Sequence, residues 1–293
     1  MNNVAPCQEG SLPTIRTPKL FTPLAAARIG STRFLFYVDE NNMVRGVQST
    51  DTPQPPWKEE PSLSAMQIHC AHYSQLAAST LEKSNAQTIC LYYQTANQNG
   101  AIQMLRYSNT TEKWDSEDTE STPTVFDDLL RGTSITALPM RSGLHAPLDS
   151  PLPVVYLQSK TLKLAHSQGN QVEIMRSLGL TFAPNTSFAI VDDGHNLCFF
   201  YTSSHSNHLK SIVIKDGKAS TPWKVATPTP RSAIAAVRPT KDRIVLFYQS
   251  LNCETGSVEL ASMTFRMVST TSETQTKPTN LWPVSHAKFT KLA

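Results

Sequence analysis

The sequence predicts an all-β fold, a single β-propeller of four-stranded antiparallel blades. A unit of about 50 residues occurs five times in the 293-residue chain, and each copy begins with a short alanine-rich segment. Proline (20 residues) outnumbers glycine (11), and polar turns separate short apolar runs, which favours many short strands over long helices. Four short strands in a repeated unit of this length are typical of a propeller blade.

The first strand of each unit is predicted from its small side chains. Innermost strands crowd around the propeller axis, so alanine suits that position. The spacings between successive copies are 52, 59, 53 and 46 residues. The five copies are residues 24–27, 76–79, 135–138, 188–191 and 234–237.

The second strand of each unit is aromatic and aliphatic, as a strand buried between two blades should be. These strands are predicted at 34–38, 89–94, 154–158, 197–201 and 244–249. Third strands with looser alternation are predicted at 43–48, 102–107, 162–166, 209–214 and 258–265. Each unit closes near a tryptophan (Trp57, Trp114, Trp223 and Trp282), except the third, which carries Ile174. A Greek-key sandwich is the alternative, but it does not predict five alanine-rich strands at a common offset.

The blade count follows from the length of the unit. The predicted boundaries are a lead-in at 1–23, a propeller at 24–285 and a tail at 286–293. Five blades are favoured, at about 24–75, 76–134, 135–187, 188–233 and 234–285. A sixth blade assembled from the two ends is the alternative, because residues 286–293 echo residues 19–25.

Composition excludes several classes of function. The net charge is only +3, which gives no electrostatic case for nucleic acid. No apolar run approaches the roughly 20 residues of a membrane span, and the first residues do not form a secretory signal, so a cytoplasmic location is expected. Five cysteines without metal-ligand spacing predict no metal and no cofactor. The sequence gives no indication of the oligomeric state.

The repeat resembles the fungal fucose-specific propeller lectins. The resemblance rests on the alanine strand, the I-x-L-Y-Y-Q strand, the following I-x strand and the tryptophan, and it is clearest at 89–104. In that family the sugar sits between blades, held by an arginine on the second strand and a glutamate on the third. The resemblance therefore implies a sugar slot beside each blade.

Neither sugar-binding residue is present in this chain. The arginine position is occupied by Phe34, Cys90, Val154, Cys198 and Val245, and the glutamate position by Gly46, Met104, Leu164, Ser211 and Leu260. Fucose binding of the family type is therefore not expected. A different glycan site elsewhere on the propeller remains an alternative.

Chemistry is then expected at one mouth of the central channel. The segments before each first strand and the loops between second and third strands converge there. We predict His72, Tyr73, His205 and Arg231 as catalytic hydrogen-bond donors from their positions in these segments. His205 and His208 lack a nearby third ligand, so a solvated turn is favoured over a metal site.

The chain is also similar to a second group, the propeller hetero-Diels–Alderases of fungal tropolone-sesquiterpenoid biosynthesis. This similarity lies in the vacated sugar slots and in the absence of hydrolase or nucleotide motifs. That resemblance implies a cofactor-independent pericyclase joining an ortho-quinone methide to a humulene-type sesquiterpene, with apolar small molecules as substrates. The alternative function is a carbohydrate-binding lectin of altered, non-fucose specificity.

Overall fold

The computed structural model confirms an all-β propeller of five small antiparallel sheets in a ring. It describes residues 15–50, 56–83, 86–96, 101–116, 129–138, 153–168, 171–180, 182–192, 196–203, 206–215, 217–251, 256–266 and 282–286. Each sheet is one blade, and its strands follow chain order from the axis outward. No helix within these ranges is long and apolar enough to cross a membrane.

The predicted strands are found in every blade. From the inside outward, blade one contains Ala25–Ile29, Thr32–Val38, Val44–Thr50 and Lys58–Glu59. Blade two contains Leu76–Lys83, Ala86–Gln94, Ile102–Ser108 and Lys113–Ser116. Blade three contains Thr136–Leu138, Val154–Gln158, Leu164–Gln168 and Gln171–Ile174.

Blade four departs from the four-stranded pattern. It contains Phe188–Asp192, Leu197–Thr202 and Leu209–Lys215, and its third strand then pairs with both Lys218–Ala219 and Trp223–Ala226. Blade five contains Ile234–Thr240, Arg243–Leu251, Val258–Arg266 and Trp282–His286. The α-helix Pro61–Ala65 lies between blades one and two, and the 3-10 helix Arg176–Leu178 lies between blades three and four.

The predicted start of the third strand in blade three is wrong. Leu162 has a φ of +59°, which lies in the left-handed region and places the residue in the turn before the third strand of blade three. That strand begins at Leu164 instead. The outer-strand predictions are closer, since Trp114, Trp223 and Trp282 lie in outer strands and Ile174 ends the outer strand of blade three.

A hydroxyl group fixes the start of the inner strand in four blades. The residue two positions before the inner apolar run accepts a hydrogen bond from a backbone N–H at the end of the second strand. The pairs are Thr22 with Val38 (2.8 Å), Ser74 with Gln94 (2.8 Å), Thr133 with Gln158 (2.7 Å) and Ser232 with Gln249 (2.7 Å). Because these bonds recur, the inner strands of these four blades begin at the same level along the propeller axis.

Four apolar clusters hold the blades together. One cluster joins blades one and two, a second joins two and three, a third joins three and four, and a fourth joins four and five. Neighbouring inner strands are in close contact along the same series. Within the described part of the chain, no such cluster joins blade five to blade one, and their inner strands lack comparable contact. We call this space between blades five and one the seam.

Candidate binding site at the axis and the seam

A cavity of about 700 Å³ lies where the inner strands of all five blades meet. Its walls are mostly alanine and aliphatic side chains, because the inner strands are built from them. They include Ala25, Ala26, Ala77, Ala78, Ile135, Ala137, Ala189, Ile190, Ile234 and Ala235. This volume lies within the range of roughly 300 to 1,000 Å³ that is usual for small-molecule sites.

Two large side chains stand at the mouth of the cavity. Phe21 and Arg231 both line it, and they occupy equivalent positions, one residue before the clamping hydroxyls of Thr22 and Ser232. Their φ angles are +57° and +60°, in the left-handed region. That conformation costs a residue with a Cβ roughly 1–2 kcal/mol. Gly132 and Asn185, one residue before Thr133 and Thr186, have the same left-handed conformation, so it belongs to the turn that the blades share.

The cavity also extends away from the axis, but only at blade five. Besides its inner strand, blade five contributes Phe247 and Gln249 from its second strand and Leu260 from its third. The other four blades contribute only inner-strand residues and the segments that lead into them. The cavity therefore opens from the axis into the seam.

The repeat explains why this extension occurs at the seam. Phe36, Tyr92, Tyr156 and Phe200 occupy the second-strand position equivalent to Phe247, and all four are buried against the next blade. The third-strand position equivalent to Leu260 is buried in the same blades, by Val44, Ile102, Leu164 and Leu209. At blade five Phe247 is only half-buried, and Leu260 is 37% exposed. Residues that elsewhere seal an interface here line a cavity.

Of the predicted donors, only Arg231 lies at the cavity. His72 is exposed and Tyr73 is half-buried, and neither lines the cavity. Their rings meet edge to face at 4.9 Å, and the Lys19 ammonium donates to the carbonyl of His72. His205 lies outside the described residues. Catalytic roles for these four residues stay a prediction.

The neighbouring His208 lies in a polar turn. Its Nδ1 is 3.4 Å from Oγ1 of Thr227. In the ranges that the structure covers, no group of three or more histidine, cysteine or acidic side chains is arranged to hold a metal ion.

The strand registers correct two of the lectin-type positions. Gly46, Met104 and Ser211 pair with Phe36, Tyr92 and Phe200, as the alignment of the repeats requires. In blades three and five the residues paired at that level are His166 and Ser262, not Leu164 and Leu260. Leu164 and Leu260 are two residues too early, because the third strand of blade three begins at Leu164 and not at Leu162, and that of blade five begins two residues before the level at which the other third strands begin. The corrected positions still contain no glutamate.

The slot beside blade one is closed by packing. A Cβ on Gly46 would lie 3.1 Å from the Leu63 side chain and 3.3 Å from Phe36, so that position has no room for a side chain. Leu63 is fully buried on the short helix, whose first turn is capped by the Glu60 carboxylate accepting from the Ser62 N–H. Apolar packing therefore replaces a sugar site at this interface.

The slot beside blade three is more polar. His166 Nε2 is 3.6 Å from a carboxylate oxygen of Glu173, and its ring lies 6.1 Å from that of the buried Tyr156. Burial lowers the pKa of His166, and the nearby Glu173 carboxylate offsets part of this effect. Burial likewise raises the pKa of the Tyr156 hydroxyl. Both groups are therefore neutral at physiological pH.

Comparison with known proteins identifies the fold. The chain is similar to the six-bladed lectin from Aleuria aurantia, known for its fucose recognition mode (20% identity, 84% of this chain and 75% of that one, TM-score 0.62). It is also similar to AofleA from Arthrobotrys oligospora (16%, 92% and 74%, 0.61) and to the BP39L lectin from Burkholderia pseudomallei (15%, 91% and 71%, 0.53). No family model and no curated protein matches it.

These similarities confirm the lectin-like propeller fold at low sequence identity. They give no support for the hetero-Diels–Alderase subgroup. Phe21, like Arg231, lies in one of the segments expected at the mouth, whereas Phe247 and Leu260 were not predicted as cavity residues. A signal was present, since Phe247 and Leu260 belong to the last copy of a repeat whose interface positions need a following blade.

Proposed function

We propose that this protein binds a small, largely apolar organic molecule in the cavity that joins the axis to the seam. The observation that supports the proposal is the lining of this 700 Å³ space, which is mostly aliphatic and aromatic, with scattered hydroxyl and amide groups and Arg231 as a cationic donor at its mouth. A few polar groups on an otherwise apolar wall orient a ligand whose binding comes mainly from burial of its hydrocarbon surface.

The reaction that suits such a site is a cofactor-independent hetero-Diels–Alder addition of an ortho-quinone methide to a humulene-type alkene. Little charge develops in this cycloaddition, so the protein would act mainly by holding both reactants in a reactive pose. Such positioning lowers barriers by up to about 7–11 kcal/mol in favourable cases. A hydrogen bond from Arg231 to the quinone-methide carbonyl would lower the barrier further, and the apolar wall would keep water from the electrophile.

Two assays test this proposal. A neutral fluorescent probe, N-phenyl-1-naphthylamine, should bind the full-length protein saturably. Ala235→Trp, which fills the cavity from the inner strand of blade five, should weaken binding about tenfold or more. In the second assay, quinone-methide precursor and humulene with the protein should give more product and one dominant stereoisomer. Yield and isomer ratio equal to the protein-free control would exclude the cycloaddition.

Carbohydrate binding with a non-fucose specificity is the second candidate. The comparisons favour it over catalysis, because the similar structures are lectins. The polar slot formed by His166, Glu173 and Tyr156 is the place where this chain offers hydrogen-bonding groups beside an aromatic ring. A glycan array with free-sugar competition tests it, and competed binding that His166→Ala abolishes would demote the apolar-ligand proposal.

A further inference from the structure

The seam side of blade five is an apolar surface that the repeat does not cover. Blade four packs against the opposite face of this sheet, where it contacts Leu246, Tyr248 and Met263 of blade five. On the seam face, Val237 (49%), Leu251 (52%), Val258 (50%) and Leu260 (37%) are exposed, and Phe247 is half-buried. Only part of this face, Phe247, Gln249 and Leu260, lines the cavity.

We propose that the seam is a hydrocarbon compartment and that Phe247 and Leu260 determine specificity for an elongated ligand with one polar end. This inference rests on the proposed function and names the class of molecule that the site takes. The polar end would be held by Arg231 at the mouth, and the hydrocarbon body would extend along the sheet of blade five.

The geometry of the sheet sets the length of that ligand. Leu260 pairs with Gln249, so it lies two strands outward from the inner strand of blade five. Neighbouring strands are about 4.8 Å apart, which places Leu260 about 10 Å from the axial wall. A compact ligand at the axis would not reach it. A molecule with an extended hydrocarbon body fills both parts of the cavity and buries more apolar surface.

Charge places the polar end at the mouth. Arg231 is exposed, and every other residue that lines the cavity has an uncharged side chain. A guanidinium binds a carboxylate or a carbonyl oxygen through directed N–H donors. At the seam end the cavity is lined by Phe247, Leu260 and the neutral amide of Gln249, so a second charged group on the ligand would have no counter-charge there.

The test uses two fluorescent probes and a matched pair of variants on one strand face. Leu260→Gln and Val258→Gln change neighbouring positions of the same exposed face, but only Leu260 lines the cavity. The elongated probe is cis-parinaric acid, a polyene carboxylate, and the compact neutral probe is N-phenyl-1-naphthylamine. Titrations of the full-length protein measure the Kd of each probe.

We expect Leu260→Gln to weaken parinarate binding about tenfold, because an amide replaces apolar surface against which the hydrocarbon chain packs, while Val258→Gln changes it less than about twofold. Arg231→Met should weaken parinarate more than the neutral probe. Equal effects of the two glutamine variants overturn the inference. If Ala235→Trp loses parinarate binding and Leu260→Gln does not, the ligand is confined to the axis. That result overturns this inference but not the proposed function. Absence of saturable binding of either probe to the unaltered protein overturns the proposed function as well.

Discussion

At the scale of single residues, buried polar groups decide how the protein responds to pH. Asp39 is buried beside Arg45, whose Nε donates to its carboxylate at 2.8 Å. Burial raises the pKa of Asp39, but hydrogen bonds from Arg45 and from the backbone N–H groups of Met43 and Asn41 outweigh it, so the pKa is lowered overall. The stability this carboxylate contributes is present above its unfolded pKa of about 3.9 and is lost only in strong acid.

His166 affects stability in a different pH range from Asp39, nearer to neutral pH. Its pKa is lowered by burial, so the unfolded chain binds its proton more tightly than the folded protein. Stability is therefore full above the unfolded pKa of about 6.5 and decreases as the pH falls through that value. We expect the urea midpoint of the unaltered protein to fall more between about pH 7.5 and pH 5.5 than that of His166→Gln. Parallel pH dependence in the two proteins would contradict this assignment.

At the scale of strands and turns, glutamine side chains link one blade to the next. Gln94, at the end of the second strand of blade two, is fully buried, donates from Nε2 to the Leu130 carbonyl at 3.3 Å and accepts from the Gly132 N–H at 2.9 Å. Gln158 repeats this contact from blade three, donating to the Ala183 carbonyl at 2.9 Å. The glutamine at the end of the second strand is thus a structural link between blades.

The same position at the seam has a different environment, which gives a matched pair of variants. Gln94→Ala leaves a buried N–H and a buried carbonyl without that partner, and it should lower the free energy of unfolding by about 1–3 kcal/mol. Gln249→Ala alters the equivalent residue, which is half-buried and lines the cavity. Gln249→Ala should lower the free energy of unfolding by less than half as much as Gln94→Ala. Urea denaturation measures both, and equal losses would show that blade five is bridged as the other blades are.

How far the sequence predicts these elements depends on the range of the interactions. The inner strands were found because crowding at the axis selects small residues, a constraint visible in each copy separately. The glutamate positions of blades three and five were misaligned, because the third strand of blade three begins later than predicted, at Leu164, and that of blade five begins two residues before the level at which the others begin. The seam was not predicted, since Phe247 resembles its buried equivalents and differs only in what faces it.

At the scale of the whole molecule, the ring behaves as a series of blades with four apolar interfaces. In such an arrangement the stability of a unit depends on its nearest neighbours. Among the residues that the structure describes, blade four has an apolar cluster on each face, whereas blade five shares one only with blade four. The free energy of local opening should therefore be lower in blade five than in blade four.

Hydrogen–deuterium exchange measures this difference directly. Amides in the second strand of blade five, Arg243–Leu251, should exchange faster than those in the second strand of blade four, Leu197–Thr202. Saturating parinarate should slow exchange in blade five and leave blade four unchanged, because a ligand in the seam supplies the apolar contact that a neighbouring blade supplies elsewhere. Equal protection of the two strands without ligand would mean that the face of blade five is already covered in solution, and the seam could not then admit a ligand.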